Sequence, residues 1–292
     1  MNFFKPGSKN LITDVKNLFI GNSENELINT GSTILSCNDR FTASYRVLGG
    51  APGTRETDLL EPDKLVEKID ALVLSGGSAF GLEAASETVN LLRKDNKGYV
   101  VGNYKIPIVP SAIIFDLMNG GEKTWEKNPY IDLANQAYND LSSSFKLGSY
   151  GAGKGATAGN IKGGLGSASL IIDNKYTVGA LIVVNSFGSV VVNDTPHFWA
   201  APFEYENEFG GFGSSNKFDP FKEVERASPD DFNTTINPFC STSCNPTRTS
   251  PVVFSKSAFL LQPSRNTKPI KMFTIKRILT TISMILINLW IF

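Results

Sequence analysis

Apolar positions along this chain fall into short β-prone runs punctuated by Asn, Gly and Pro, with two longer stretches at helical spacing. Asn10 to Val15 opens an apolar-rich segment that continues to Ile20-Gly21 and predicts an opening strand or turn followed by a loop. Ser32 to Ser36 and Phe41 to Val47, rich in β-branched and aromatic residues, predict two short strands. Gly49 to Asp58 is a turn-rich loop, and Pro62 is expected to open a short helix, Asp63 to Ile69, with acidic residues in its first turn. Asp70 to Ser75 predicts an apolar strand. After Gly76-Gly77-Ser78, a helix follows in which Leu82, Ala85, Val89 and Leu92 share one face. Pro107 to Phe115 is another extended segment. A helix from about Ile131 to Phe145 presents Leu133, Ala137, Tyr138 and Leu141 on one side.

Beyond a glycine-rich run, Ser167 to Asp173, Thr177 to Asn185 and Ser189 to Val192 read as strands, and residues 194–230 as an exposed loop or linker. Strand and helix signals alternate without strict βαβ order, so the expected class is α+β or layered α/β.

Composition divides the chain. Lys plus Arg equals Asp plus Glu, 28 each, which gives no reason to expect a nucleic-acid partner. The balance hides a boundary: residues 237–292 hold seven Lys or Arg but no Asp, Glu or Gly. Residues 1–236 therefore carry 21 basic (28 − 7) and 28 acidic residues, a formal charge of −7, and all 26 glycines. The expected organisation is one domain over 1–236 and an atypical tail, disordered or foreign to the fold, over 237–292. The apolar end of that tail, 278–292, follows Lys276-Arg277.

Three cysteines, Cys37, Cys240 and Cys244, are too few for a disulfide scaffold, and the C-x3-C pair has neither a second pair nor a nearby His to make a zinc site. The N-terminus has no apolar run of signal-peptide length, so a cytoplasmic location is expected.

Candidate chemistry narrows quickly. Gly76 to Gly81 has one residue too many for a G-x-S-x-G nucleophile elbow, and Ser78 reads instead as an N-cap. Gly151 to Gly166 holds seven glycines in sixteen residues, yet it satisfies neither the P-loop pattern, since Gly155 follows Lys154, nor the dinucleotide fingerprint. Glycine at that density means backbone passing close to packing or to a substrate. His197 is the only histidine, in an aromatic loop, where a structural or surface role is expected rather than that of a general base. One chemistry needs no histidine: a Thr at a freed N-terminus, whose α-amine, with an unperturbed pKa of about 7.7–8.0, takes the hydroxyl proton.

Seven motifs carry a resemblance. They are Gly49 to Asp58, Leu74 to Leu82, Pro107 to Pro110, Gly151 to Thr157, Lys162 to Ser169, Val183 to Ser189 and Asn233-Thr234-Thr235. In this order, over roughly residues 10–236, the chain resembles the P1 family of peptidases, the L-aminopeptidase/D-esterase and nylon-oligomer endohydrolase family. The resemblance implies a four-layer αββα sandwich and self-cleavage between Asn233 and Thr234, with Thr234 as the N-terminal nucleophile. It further implies that Asn185 supports the oxyanion and that Lys162 lies near the nucleophile, holding its amine neutral or assisting proton transfer. Phe115 falls where some relatives are expected to carry a tyrosine, and with Gly151 and Gly153 it is a candidate for substrate contact. A small peptide or amide substrate and a homo-oligomer are implied; no metal or organic cofactor is.

The tail departs from the family. Thr234 to Phe292 is 59 residues without a carboxylate side chain, where the family carries an acidic element that orients the nucleophile's amine. The fifteen residues of this apolar end, 278–292, span about 22 Å at 1.5 Å each, short of a hydrocarbon core of about 30 Å. A frameshifted or mis-spliced tail is therefore expected in preference to a membrane anchor. In that case the nucleophile strand loses its neighbours and activity is lost. The alternative is a non-catalytic or membrane-tethered relative that keeps the fold as a binding module.

Overall fold

The structure, a computed structural model, describes residues 4–47, 51–159, 161–186, 188–193 and 195–216, together with the backbone of 257–261 and 288–291. In chain order the elements are β1 (Phe4–Pro6), β2 (Leu18–Asn25), β3 (Thr30–Phe41), β4 (Thr54–Arg55), β5 (Ile69–Ser75), α1 (Glu83–Lys94), β6 (Tyr99–Val101), β7 (Tyr104–Ile106), β8 (Ser111–Ile113) and α2 (Tyr130–Asn139). They continue with β9 (Thr157–Ala158), β10 (Ile161–Lys162), β11 (Gly164–Ile172), β12 (Tyr176–Val184), β13 (Ser257–Leu261) and β14 (Asn288–Ile291).

Two five-stranded sheets carry the architecture, ordered β2-β3-β5-β8-β4 and β1-β11-β12-β13-β14. Successive side chains of a strand point to opposite faces, so a strand buried on both sides must be apolar throughout. β5 obeys this: all seven of its residues are buried. Its Leu72 and Leu74 join Leu18, Ile20 and Leu35 against Leu165, Leu181 and Val183 of the second sheet, forming the core between the sheets. Ala71 and Val73 point the other way, with Ile34, into Ala84, Ala85 and Leu92 of α1 and Tyr130, Leu133, Ala134 and Ala137 of α2. The molecule is thus a layered α+β sandwich. The described residues supply three layers, one of helices and two of sheet. On the outer face of the second sheet, Ile182 and Val184 pack on Ala158, Val190 and the partly buried Phe198 rather than on a described helix.

Several sequence expectations move. Ser32 to Ser36 is the middle of a twelve-residue strand, β3. Phe41 to Val47 is not a strand: Phe41 pairs with Ile69, the first residue of β5, and the chain beyond it has run past its partner. The expected helix from Asp63 to Ile69 is absent, because Ile69 is claimed by β5 and Leu65 is 92% exposed, leaving no apolar stripe for so short a helix. Ser78 does not cap α1 through its side chain. It begins a 3-10 turn, Ser78–Leu82, with φ at +54°, and Glu83 starts the α-helix.

α2 stops at Asn139, six residues before the expected end. Ser142 exchanges backbone hydrogen bonds with Ile20 at 2.9 and 3.0 Å, and these draw the chain onto β2. Only Ser111–Ile113 of the extended 107–115 segment pairs as a strand. Ser189 to Val192 supplies one bridge, Val191 to Phe198. The hairpin β6–β7 was not anticipated, although Tyr-Val-Val and Tyr-Lys-Ile around Gly102-Asn103 carry its signature.

Two strands fall inside 237–292. β13 pairs antiparallel with β12, Gly179 opposite Leu261 through Val183 opposite Ser257, and β14 adds in parallel at the edge. No helix among the described residues is long and apolar enough to cross a membrane.

Candidate active site

Three pieces of chain converge where β8 and β12 end: the loop Phe115–Asn119, the glycine-rich segment from Gly155 to Lys162, and Asn185. The Asn185 carboxamide is fixed by what surrounds it. Its Oδ1 accepts the Thr157 backbone N–H at 3.0 Å, and its Nδ2 donates to the Phe115 carbonyl at 2.9 Å. The reverse orientation would set an NH2 against an N–H and an oxygen against a carbonyl, so the polarity of the amide is determined by the backbone. Thr157 in turn lies opposite Lys162 in the β9–β10 ladder, which puts the exposed Lys162 one strand from the Asn185 contact.

Beneath the loop lies a buried polar knot. Asp116 has no solvent exposure, and its carboxylate accepts from the Thr30 hydroxyl at 2.5 Å and from the Gly77 N–H at 2.6 Å. Thr30 also meets the Tyr130 hydroxyl at 3.0 Å. Burial raises the Asp116 pKa above 3.8, opposed by those hydrogen bonds and by the Lys123 charge; burial likewise depresses the Lys123 pKa. Lys123 clamps the turn between β2 and β3 through the carbonyls of Ile28 and Asn29.

The knot explains the glycine pair of Leu74 to Leu82. Gly77 has φ at +81°, and a Cβ there would lie 2.0 Å from the Tyr130 hydroxyl. Gly77→Ala combines a left-handed backbone with that clash and should destabilise the fold by about 1–3 kcal/mol or more, read as a lower midpoint in urea. Asp116 gives a pH test. Its folded pKa is raised, so its favourable contribution is full below 3.8 and is lost as pH rises through the folded value. Asp116→Asn should therefore gain on the wild type as pH rises through that window, measured by urea midpoints across pH.

Among the residues anticipated from sequence, Asn185, Phe115 and Lys162 come together here. Phe115 is 41% exposed beside the Asn185 contact. Asn233 and Thr234 lie outside the described residues. Gly151 and Gly153 are buried in packing. Gly151 donates its N–H to Glu24, and a Cβ on it would strike Thr33 and Asn22, while one on Gly153 would meet the Leu165 backbone. His197 contacts the Gly213 carbonyl at 2.9 Å and lies edge-on to Phe212, within the surface loop. Cys37 is a free thiol beside the inter-sheet core, its pKa raised by burial. Among the described residues, no group of three His, Cys, Asp or Glu is placed to hold a metal.

Sequence reading missed Asp116, Asn119 and Thr157. The one signal in reach was a pair of amide and acid side chains directly after an apolar run, Pro107 to Phe115, and directly before Gly120-Gly121, both of which have positive φ.

The sequence profile of peptidase family S58 matches residues 10–214, the stretch that holds the whole first sheet, β11 and β12 of the second, and the Asn185 contact. The chain belongs to peptidase family S58. The chain is similar to an uncharacterized aminopeptidase of Mycobacterium tuberculosis, 45% identical over 153 residues, which is 52% of this chain and 44% of that protein. One from Mycobacterium leprae is 44% identical over 156 residues, 52% of this chain and 43% of that one. The chain thus spans less than half the length of these curated relatives. In fold it is similar to the L-aminopeptidase D-Ala-esterase/amidase of Ochrobactrum anthropi, described as a variant of the Ntn hydrolase fold. The TM-score is 0.58 at 14% identity, covering 98% of this chain and 74% of that one. A β-aminopeptidase from Burkholderia sp. gives a TM-score of 0.56 at 18% identity, over 68% and 58%.

Proposed function

We propose that this S58 chain is a self-processing amidohydrolase of the aminopeptidase type, cut between Asn233 and Thr234, with Thr234 as the nucleophile. Its hydroxyl adds to the carbonyl carbon of a small peptide or amide while the freed α-amine takes the hydroxyl proton. The amine then returns that proton to the departing amine, and water hydrolyses the resulting ester. Asn185 donates from Nδ2 to the oxyanion of the tetrahedral intermediate, and Lys162 holds the α-amine neutral.

The observation that carries this reading is the polarity of Asn185. The Thr157 N–H engages its Oδ1, so the group presented at the end of β12 is an NH2, the only half of a carboxamide that can serve an oxyanion. Family membership and the Asn-Thr-Thr motif support the position of the cut. Phe115, apolar and exposed beside that NH2, supports contact with an apolar part of the substrate. Assembly as a homo-oligomer belongs to the same reading.

Intact mass and a denaturing gel test it, together with release of p-nitroaniline from aminoacyl p-nitroanilides. Two fragments and turnover are expected, a reading supported over that of a foreign tail by the pairing of β13, from beyond the cut, with β12. A single 31.7 kDa species without turnover overturns it. A second reading, a non-catalytic or membrane-tethered relative, is favoured by one feature, that no Asp or Glu stands between Thr234 and Phe292 to orient an amine. It expects the uncut, inactive chain to sediment with membranes.

A further inference from the structure

One side chain touches all three pieces of the site and belongs to none of the roles above. Asn119 is buried, 6% exposed, and its Nδ2 faces three acceptors: the Gly155 carbonyl at 2.8 Å, the Thr157 hydroxyl at 3.2 Å and Asn185 Oδ1 at 3.4 Å. Two amide hydrogens serve three acceptors, so one is anchored on Gly155 and the other is shared between Thr157 and Asn185. The rest of Asn119 is held as firmly. Its carbonyl accepts the Asn29 side-chain amide at 2.7 Å, and its N–H donates to the Asp116 carbonyl at 3.1 Å. Asp116 itself is tied to Thr30 and Gly77. Asn119 therefore carries the rigidity of the buried knot out to Asn185.

We infer that Asn119 is a positioning residue, which fixes the direction of the Asn185 carboxamide by donating into the pocket where Asn185 Oδ1 sits. The inference rests on the reading of Asn185 as oxyanion donor for its catalytic consequence, although the geometric claim stands without it. Its chemistry is specific to a donor. A carboxylate at 119 would face the Gly155 carbonyl and Asn185 Oδ1 as a third oxygen, and the repulsion would push Asn185 away from the Thr157 N–H. When protonated, the same carboxyl donates again.

Asn119→Asp in the full chain tests this with two measurements. Amide hydrogen exchange at Thr157 should accelerate at least tenfold while the amides of Leu72 and Val73 in β5 keep wild-type protection. The ratio of variant to wild-type processing rate should rise as pH falls, because a side chain that merely fills space has no proton to gain. Wild-type protection at Thr157, or a rate ratio flat with pH, overturns the inference. Should Asn119→Asp lose protection throughout β5, the uncharged Asn119→Ser carries the same exchange readout with the same two outcomes. A wild type that does not self-process leaves the exchange result to decide alone. Asn185→Ala separates the two claims. If it processes at the wild-type rate while Asn119→Asp still frees Thr157, the oxyanion reading fails and the positioning claim holds. If it abolishes processing while Asn119→Asp leaves Thr157 protected, the positioning claim fails and the oxyanion reading holds.

Discussion

A chain carrying Thr234→Ala should run as a single 31.7 kDa species under denaturing conditions, where the wild type is expected to give two bands. Alanine removes the only atom proposed to attack, so neither the internal peptide bond nor an added amide has a nucleophile. Removal of a catalytic nucleophile typically lowers turnover by about 10⁶-fold, and here the loss should reach the detection limit. Thr234→Ser separates chemistry from shape. It keeps the hydroxyl and should retain cleavage, whereas a purely structural need for the Thr234 methyl would leave Ser as inert as Ala. Intact mass of the three proteins, purified in parallel, decides between these outcomes.

Asn185→Ala should reduce the rate of p-nitroanilide hydrolysis by about 10²–10³-fold, the usual effect of deleting one oxyanion donor. The loss should fall on kcat, with KM little changed, because the donor acts on charge that develops only in the transition state. The variant also leaves the Thr157 N–H and the Phe115 carbonyl without their Asn185 partners. A modest fall in stability, of order 1–3 kcal/mol, is expected for that reason and should be measured separately in urea. Equal loss with Asn185→Asp is a further expectation, since a carboxylate offers no donor and would repel the oxyanion. An Asp variant as active as the wild type would remove Asn185 from the mechanism.

Much of the scaffold was legible because burial on two faces leaves a mark in sequence. Asp70 to Ser75 is apolar enough to announce a central strand, and Leu133 and Ala137 announce the helix that covers it. What was lost was decided by distant partners. Phe41 to Val47 has good strand composition, but β5 starts too late to pair with it. Pro62 and the acidic residues after it suggest a helix over Asp63 to Ile69, but Ile69 belongs to β5. The site divides along the same line. Asn185 and Lys162 are proposed through motifs, whereas Asn119 and Asp116 come into view only because the fold brings residues 29, 30, 77, 155 and 185 to them. A buried Asn or Asp carries no local signature of its partners. Gly151 and Gly153 show the converse, since a glycine-rich run that looks poised for a ligand is filled by strands β2, β3 and β11.

The pairing of β12 with β13 bears on what purification would reveal. Asn185 follows β12, and the strand hydrogen-bonded along that β12 edge comes from residues 257–261, on the far side of the Asn233–Thr234 bond. Scission there would sever the covalent chain but leave the two fragments sharing one sheet. A size-exclusion column in native buffer would then elute both pieces in a single peak, and only denaturant would part them. Co-elution followed by separation would read the integrity of this sheet without reference to any substrate.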